Sequence, residues 1–361
     1  MEYKRLGDYI EPVDERNSKL EIKLSQGICN EKYFQDPRQV AENSAADKIV
    51  RRGYFAYNRA TTRNGEKISI AYREGPDCTV SSAYQVFRIK DEEKLNPKYL
   101  LMWYKRSDFD RYARFRSHGS AHEFFEYDEM CDVYLPLPDI DRQREIVEEY
   151  ETLSRCIRLN EQMIEKLEAT AQALYRKMFV DDIDKENLPE GWRMGTLGEV
   201  ANIKAGGDKP HDFSEVQTEE YNVPVYANGI ENKGIFGFTT KPVITTKSIT
   251  ISARGTIGYC FLRKRPFVPI VRLIVVIPHD EDVTQYLFYY LNNSNIKGSG
   301  SVQSQLTVPD MESKNIIIPP VPLIQEFNKQ VEIIDNSISF CEKENEKLIE
   351  LQSLLLAKMG Q

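Results

Sequence analysis

Ile146-Val147-Glu148-Glu149-Tyr150-Glu151-Thr152-Leu153-Ser154-Arg155-Cys156-Ile157 decides how this chain of 361 residues is built. Its apolar positions, Ile146, Tyr150, Leu153 and Ile157, continue through Asn160, Ile164, Leu167, Ala171, Leu174 and Met178. The steps are four and three throughout, the spacing of one face of a long helix. The series recurs 181 positions later as Phe327, Val331, Ile334, Ile338, Cys341, Asn345, Leu348, Gln352, Leu355 and Met359. Identities hold the frame without a gap: Pro138/Pro319, Glu145/Glu326, Glu151/Glu332, Glu161/Glu342, Glu165-Lys166-Leu167 against Glu346-Lys347-Leu348, and Lys177-Met178 against Lys358-Met359. The chain is therefore an internal repeat whose unit ends in a long, proline-led helix.

Outward from these helices the plan is globule, helix, globule, helix. The expected boundaries are 1–137 for a first domain, 138–180 for the first helix, 181–318 for a linker and second domain, and 319–361 for the second helix. Half-buried strands are expected over Lys67–Tyr72 and Tyr84–Ile89, and a helix over Pro97–Arg114. In the second half the expected strands are Val243–Thr246, Ile249–Ser252 and Val271–Ile277, with a helix over Gln285–Leu291. Leu6-Gly7-Asp8 is echoed by Leu197-Gly198-Glu199. The fold class is α+β, with two mixed α/β domains separated by the long helices in a pseudo-two-fold repeat.

A helix of about 40 residues spans about 60 Å, so its apolar stripe needs another helix along its length. Chain order makes the pair antiparallel if it forms within one chain. The polar stripe members Asn160 and Asn345 select the register. Set opposite one another they satisfy both amides and place Ile157 by Leu348, Leu167 by Ile338, Leu174 by Val331 and Met178 by Phe327, with Leu153 facing Gln352. A buried Asn pair fixes register at some cost in stability.

Hydrophobic residues at 41% and charged residues at 29% describe an ordinary globular chain. No run of about 18 apolar residues suits a membrane span, and the start MEYKRLGDYIEPVDE lacks a signal peptide's apolar stretch, so no membrane association and a cytoplasmic location are expected. Six scattered cysteines (Cys29, Cys78, Cys131, Cys156, Cys260, Cys341) form no CxxC pair and suggest neither a zinc site nor a disulfide framework. The net charge of -8 hides local fields. Lys233, Lys241, Lys247, Arg254, Arg263, Lys264, Arg265 and Arg272 span a stretch without an acidic residue. Lys48, Arg51, Arg52, Arg59, Arg63, Lys67 and Arg73 are opposed within their stretch by Glu66 alone. Two basic stretches in a duplicated acidic chain suggest a polyanion, the bland alternative being solvated strand faces.

Catalytic signatures are missing. There is no GxxxxGK[ST], no GxGxxG after a strand, no HExxH and no GxSxG. Ala205-Gly206-Gly207-Asp208-Lys209 lacks the spacing to cradle a triphosphate. Asn96-Pro97-Lys98-Tyr99 is similar to the Asn-Pro-Pro-Tyr of adenine methyltransferases, but it lacks the second proline and stands where a helix cap is expected. Pro309-Asp310-Met311-Glu312-Ser313-Lys314 looks like a compressed nuclease motif, yet nuclease carboxylates come from separated strand positions. His118 and His122 have no carboxylate or cysteine at ligand spacing. No catalytic residue, cofactor site or metal site is expected in this chain.

The order of these elements resembles the specificity subunit of type I restriction-modification enzymes. The resemblance is carried by Leu188-Pro189-Glu190-Gly191-Trp192 leading to Leu197-Gly198-Glu199-Val200, by Ser252-Ala253-Arg254-Gly255-Thr256-Ile257-Gly258, and by the helix entry Pro138-Asp139-Ile140-Asp141-Arg142-Gln143-Arg144-Glu145-Ile146-Val147. It covers essentially the whole chain. One departure is that Leu6-Gly7 has no Leu-Pro-Glu-Gly-Trp lead-in. The resemblance implies that each globule is a target recognition domain reading one half of a split target in double-stranded DNA. It also implies that the helices space the domains and dock two modification (methyltransferase) subunits, which recruit restriction subunits. S-adenosylmethionine, ATP and Mg then belong to those partners. The globules differ, so the target is expected to be asymmetric, and DNA at 3.4 Å per base pair bounds the span to about 18 base pairs.

Candidate DNA-binding residues sit on loops. In the first domain they are Arg59, Thr61, Thr62, Arg63 and Lys67, with Ser117, His118 and Ser120 on a second loop. In the second they are Lys209, Asn228, Lys233, Arg254 and Thr256, with Ser301, Gln303 and Gln305. Guanidinium groups suit guanine O6/N7, and amides suit adenine N6/N7. The rival readings are a coiled-coil adaptor whose globules bind protein, and a methyltransferase or nuclease acting alone.

Overall fold

The computed structural model describes residues 2–37, 44–61, 67–119, 123–294, 296 and 305–360. In chain order the first half carries β1 (Tyr3–Arg5), β2 (Ile10–Val13), β3 (Gly27–Ile28), β4 (Phe34–Gln35), β5 (Lys48–Val50), β6 (Phe55–Asn58), β7 (Ile70–Tyr72), β8 (Cys78–Val80), β9 (Tyr84–Ile89), α1 (Pro97–Tyr104), α2 (Ser107–Phe115), α3 (Tyr127–Cys131), β10 (Tyr134–Pro136) and the long helix α4 (Ile140–Phe179). The second half carries β11 (Arg193–Thr196), α5 (Leu197–Val200), β12 (Ala201–Ala205), β13 (Val223–Tyr226), β14 (Ile235–Thr239), β15 (Ser248–Ile251), β16 (Cys260–Arg263), β17 (Val268–Pro269), β18 (Ile274–Pro278), α6 (Thr284–Asn293), α7 (Val308–Glu312), β19 (Asn315–Ile318) and the second long helix α8 (Val321–Lys358). The chain divides into two compact units, Met1–Glu161 with Glu342–Gln361, and Gln162–Cys341, so each unit holds one sheet domain and a part of both long helices.

In the first unit an antiparallel sheet of order β2-β9-β6-β7 separates two apolar layers. Strand alternation does the sorting. Phe55, Tyr57, Ile70, Phe87 and Ile89 face the larger core, built with Tyr99, Leu100 and Tyr104 of α1 and with Ile146 and Val147 of α4. Ala56, Ala71 and Val86 face the opposite way, against Val50, Cys78 and Val80 of the β5-β8 pair. Each buried aromatic or aliphatic side chain here contributes about 1.5–3 kcal/mol relative to exposure. The expected helix over Pro97–Arg114 is two helices. Arg106 is extended (φ -73°, ψ 137°), which turns the chain so that Phe109 comes back against Tyr104, ring centroids 4.7 Å apart. Asn96 caps α1, accepting from the Lys98 and Tyr99 amides at 2.9 and 3.2 Å, so the Asn-Pro-Lys-Tyr run serves as a helix start.

The second unit repeats the sheet with order β12-β18-β15-β16, again antiparallel throughout. Ile249, Ile251, Ile274 and Val276 face the core shared with Tyr286, Phe327 and Tyr175. Val275 faces the other side, with Tyr226, Phe267 and Leu273. The repeat extends to single bonds. Leu6 N donates to Val133 O at 2.8 Å, and Leu197 N to Lys314 O at 2.9 Å. The Tyr99 hydroxyl donates to Pro136 O in one unit and the Tyr286 hydroxyl to Ile317 O in the other. Two expectations fail here. Val243–Thr246 is no strand, because Ile244 makes only an isolated bridge to Phe267. The strand expected from Val271 begins at Ile274, because Val271 and Arg272 adopt positive φ.

Each long helix finds a stretch of the other to cover its stripe. In the first unit Asn160 Nδ2 donates to Asn345 Oδ1 at 3.0 Å and to Glu344 Oε2 at 2.7 Å, and Gln352 Nε2 donates to Ser154 Oγ at 2.6 Å. Numbers falling on one helix meet numbers rising on the other, so the segments are antiparallel. Gln352 thus finds a hydroxyl beside Leu153. In the second unit Phe327 of α8 packs between Tyr175 and Phe179 of α4, at 6.2 and 5.1 Å between centroids. Among the described residues no helix is long and apolar enough to cross a membrane.

The Asn160→Leu variant leaves the buried Asn345 carbonyl oxygen without its donor and is expected to lower unfolding free energy by about 1–3 kcal/mol. Asn160→Leu combined with Asn345→Leu is expected to recover most of that loss in urea denaturation. A double variant as unstable as the sum of the singles would show that the amides are not coupled.

Candidate nucleic-acid interface

In both units some of the expected loop residues stand where the central strand of the sheet ends. In the first, β6 runs into Arg59, whose carbonyl accepts from Phe125 N at 2.9 Å, while Thr61 N donates to Glu123 O at 3.0 Å. His118 and Phe124 exchange backbone bonds, so the 59–61 and 117–119 loops are neighbours through Phe124. In the second, β15 runs into Ala253, whose carbonyl accepts from Leu306 N at 3.0 Å. Phe125 and Leu306 are 181 apart, so the two loop pairs occupy equivalent places.

Not every expected residue is free to touch a ligand. Thr61 is buried and its hydroxyl donates to Glu123 O at 3.2 Å, and Ser117 is buried with its hydroxyl on Ala113 O at 2.6 Å. Both hold backbone. His118 is exposed, its Nε2 3.8 Å from Glu129. Arg59 is bonded to Glu126 at 3.3 Å and Lys67 to Glu31 at 2.8 Å. Thr62, Arg63, Ser120, Ser301 and Gln303 lie outside the described residues. Arg254 and Thr256 are exposed, and Arg254 donates to Gln305 Oε1 at 3.1 Å. Lys209 is exposed, with its ammonium 3.5 Å from the Phe213 ring centroid.

The first basic stretch is largely neutralised in the fold. Lys48 pairs with Asp14, Arg51 with Glu15 and Asp77, and Arg73 is buried on Pro76 O and Gln26. Those acids come from outside residues 48–73, which is why the local tally overstated the field. Lys32 is buried as well, donating to Asp110 at 2.6 Å and to Ile68 O at 3.0 Å. Burial lowers its pKa against the pull of Asp110. The second stretch keeps more of its charge. Lys264 pairs with Asp335, but Lys241, Lys247, Arg265 and Arg272 are exposed and meet no carboxylate among the described residues.

Three loops of the second unit are braced by residues that the sequence offered as readers or as a phosphate cradle. Asn228 uses both ends of its amide, accepting from Ala253 N at 2.7 Å and donating to Val271 O at 2.8 Å. It therefore positions its neighbours. Lys233 and Asn232 form a left-handed turn (φ 54° and 48°), and the Lys233 carbonyl accepts from Arg263 at 2.7 Å. Arg263 is buried over Tyr226, 3.5 Å from the ring centroid, and burial brings its guanidinium down to about 10. Val271 and Arg272 form a second left-handed turn (φ 53° and 56°), a conformation costing about 1–2 kcal/mol per residue and worst for a β-branched side chain. Its amides are held by Gly207 O at 2.9 Å and Gly206 O at 3.0 Å. No sequence signal marks this turn, since Val271 reads as strand. Gly206 is required by close approach: a Cβ there would lie 2.8 Å from the Ile270 nitrogen and the Pro269 carbonyl carbon. Among the described residues no group of three or more His, Cys, Asp or Glu is placed to hold a metal.

The described geometry is that of a duplicated loop platform whose second copy carries exposed cations from the acid-free 233–272 stretch. The family model for the type I restriction modification DNA specificity domain matches residues 44–169 and 189–353, and the chain belongs to that family. It is similar to a putative type I specificity subunit, S.MpnORF89P, of Mycoplasma pneumoniae, at 29% identity over 79% of this chain and 85% of that one. It is also similar to the HindI specificity subunit of Haemophilus influenzae, at 20% identity over 87% of each chain. Among solved structures, the type I restriction-modification S subunit from M. genitalium superposes with a TM-score of 0.58 at 15% identity, covering 100% of this chain and 96% of that one. The family's work is recognition of DNA sequence in restriction-modification systems.

Gly206→Ala is expected to push the 206–207 segment off the Val271–Arg272 turn and cost about 1–3 kcal/mol by overpacking. Thermal unfolding reads the loss. Gly207→Ala, where a Cβ meets nothing within 4 Å, is the control expected to be far milder.

Proposed function

We propose that this chain is the non-catalytic specificity subunit that recognises a bipartite, asymmetric DNA target and directs methyltransferase and restriction partners to it. One observation carries the reading. Both units build the same platform at the end of the central strand, closed by the Arg59 O to Phe125 N and Ala253 O to Leu306 N bonds, and dress it with different side chains. Equal scaffolds with unlike loops suit two half-sites of different sequence.

The helices suit a spacer. Helix α4 has 40 residues, about 60 Å at 1.5 Å per residue, and two domains reading DNA within that length would span about 18 base pairs at most. Partner docking is supported by apolar side chains left on helix surfaces. In the first unit a groove of about 710 Å³ is lined by Leu153, Leu351, Leu354 and Leu355 and rimmed by Glu145 and Glu149, with Leu351 and Leu354 each about half exposed. Such a surface suits helices of two modification subunits, which would hold S-adenosylmethionine, while restriction subunits would use ATP and Mg. In this scheme the chain itself supplies readout and spacing and does no chemistry.

Readout begins with charge. Lys241, Lys247, Arg265 and Arg272 would engage phosphates or base edges and release counterions. Filter binding of the assembled complex to DNA is therefore expected to show log affinity falling linearly with log salt, with a slope of several units. Undiminished protein assembly with no DNA binding at low salt would instead make the chain a protein adaptor.

A further inference from the structure

The Val271–Arg272 turn combines four observations. Both residues adopt left-handed φ, which neither valine nor arginine favours. The conformation is over-determined: Ile270 N donates to Tyr226 O, Val271 N to Gly207 O, Arg272 N to Gly206 O and Leu273 N to Ile270 O, while Val271 O accepts from Asn228. Both side chains are exposed, and the Arg272 guanidinium makes no hydrogen bond or ion pair among the described residues, whereas Arg254, Arg263 and Lys264 each have a partner. The turn is also adjacent to the loop platform, because the same Asn228 amide that accepts from Ala253 N donates to Val271 O.

A turn needed only to join β17 to β18 would take glycine or asparagine at these angles. Valine and arginine held there at the expense of local strain indicate that the side chains themselves are required. A guanidinium offers the paired donors that match guanine O6 and N7, and a valine methyl suits the thymine C5-methyl. We infer that Val271–Arg272 is a base-reading element of the second unit, with Arg272 specifying a guanine and Val271 packing on the neighbouring base. Asn228 is its positioning residue. This inference rests on the DNA-recognition reading above.

The test is affinity selection of a randomised duplex library by the assembled complex, with the natural chain, Arg272→Ala, Arg272→Lys, Val271→Ala and Asn228→Ala. Arg272→Ala is expected to lose base preference at one position of one half-site and to bind the preferred sequence about 5–150-fold more weakly. Arg272→Lys is expected to regain affinity without regaining the preference, since an ammonium cannot form the paired bond. Asn228→Ala is expected to blur the same position as Arg272→Ala. An equal loss on every sequence with a shallower salt slope would make Arg272 a phosphate contact and overturn the inference. So would an unchanged preference in Arg272→Ala. A natural complex that selects no sequence at all would overturn the recognition reading itself.

Discussion

An apolar stripe along forty residues of helix has to be covered over its whole length, and in each unit the covering comes from a stretch of the other long helix. In the first unit that contact is pinned by the half-buried Asn160 against the buried Asn345, whose amide would lose its donor in a shifted register. In the second it is pinned by shape, with Phe327 set between Tyr175 and Phe179. The sheet domains then grow onto the paired segments: Ile146 and Val147 enter one core, Ala171 and Tyr175 the other. Each core thus takes side chains from both long helices, Leu355 and Leu356 joining the first and Ile324 and Phe327 the second.

On this frame the two units solve the same problem with different chemistry. Equivalent backbone bonds close both loop platforms, and both use a buried tyrosine hydroxyl to tie a helix to the strand that precedes a long helix. The first unit spends its cations internally, on Asp14, Glu15, Asp77, Glu126 and Glu31. The second leaves several exposed and stores strain in two left-handed turns beside them. Duplication thus conserves the scaffold inside one chain while the loops diverge.

The helical repeat was legible because its periodicity runs without a gap, and the register was legible because only two stripe positions are asparagine. The strand over 84–89 followed from alternation, and the one expected over 249–252 lies one residue earlier, at 248–251. The loops were harder for physical reasons. Residue type marked Asn228, Thr61 and Ser117 as readers, but hydrogen-bonding capacity serves the backbone as readily as a base, and all three spend it inward. Local charge counting failed over Lys48–Arg73 because long-range acids neutralise it. The Val271–Arg272 turn was invisible, since a β-branched residue at positive φ is the opposite of what propensity expects.

The central claim is that unlike platforms on one duplicated frame read two separated half-sites. Methylome sequencing of cells carrying this chain with its partner subunits tests it most directly. The account predicts a single methylated motif in two unlike parts, separated by a fixed run of unread base pairs and totalling no more than about 18 base pairs. A continuous or palindromic motif would contradict it.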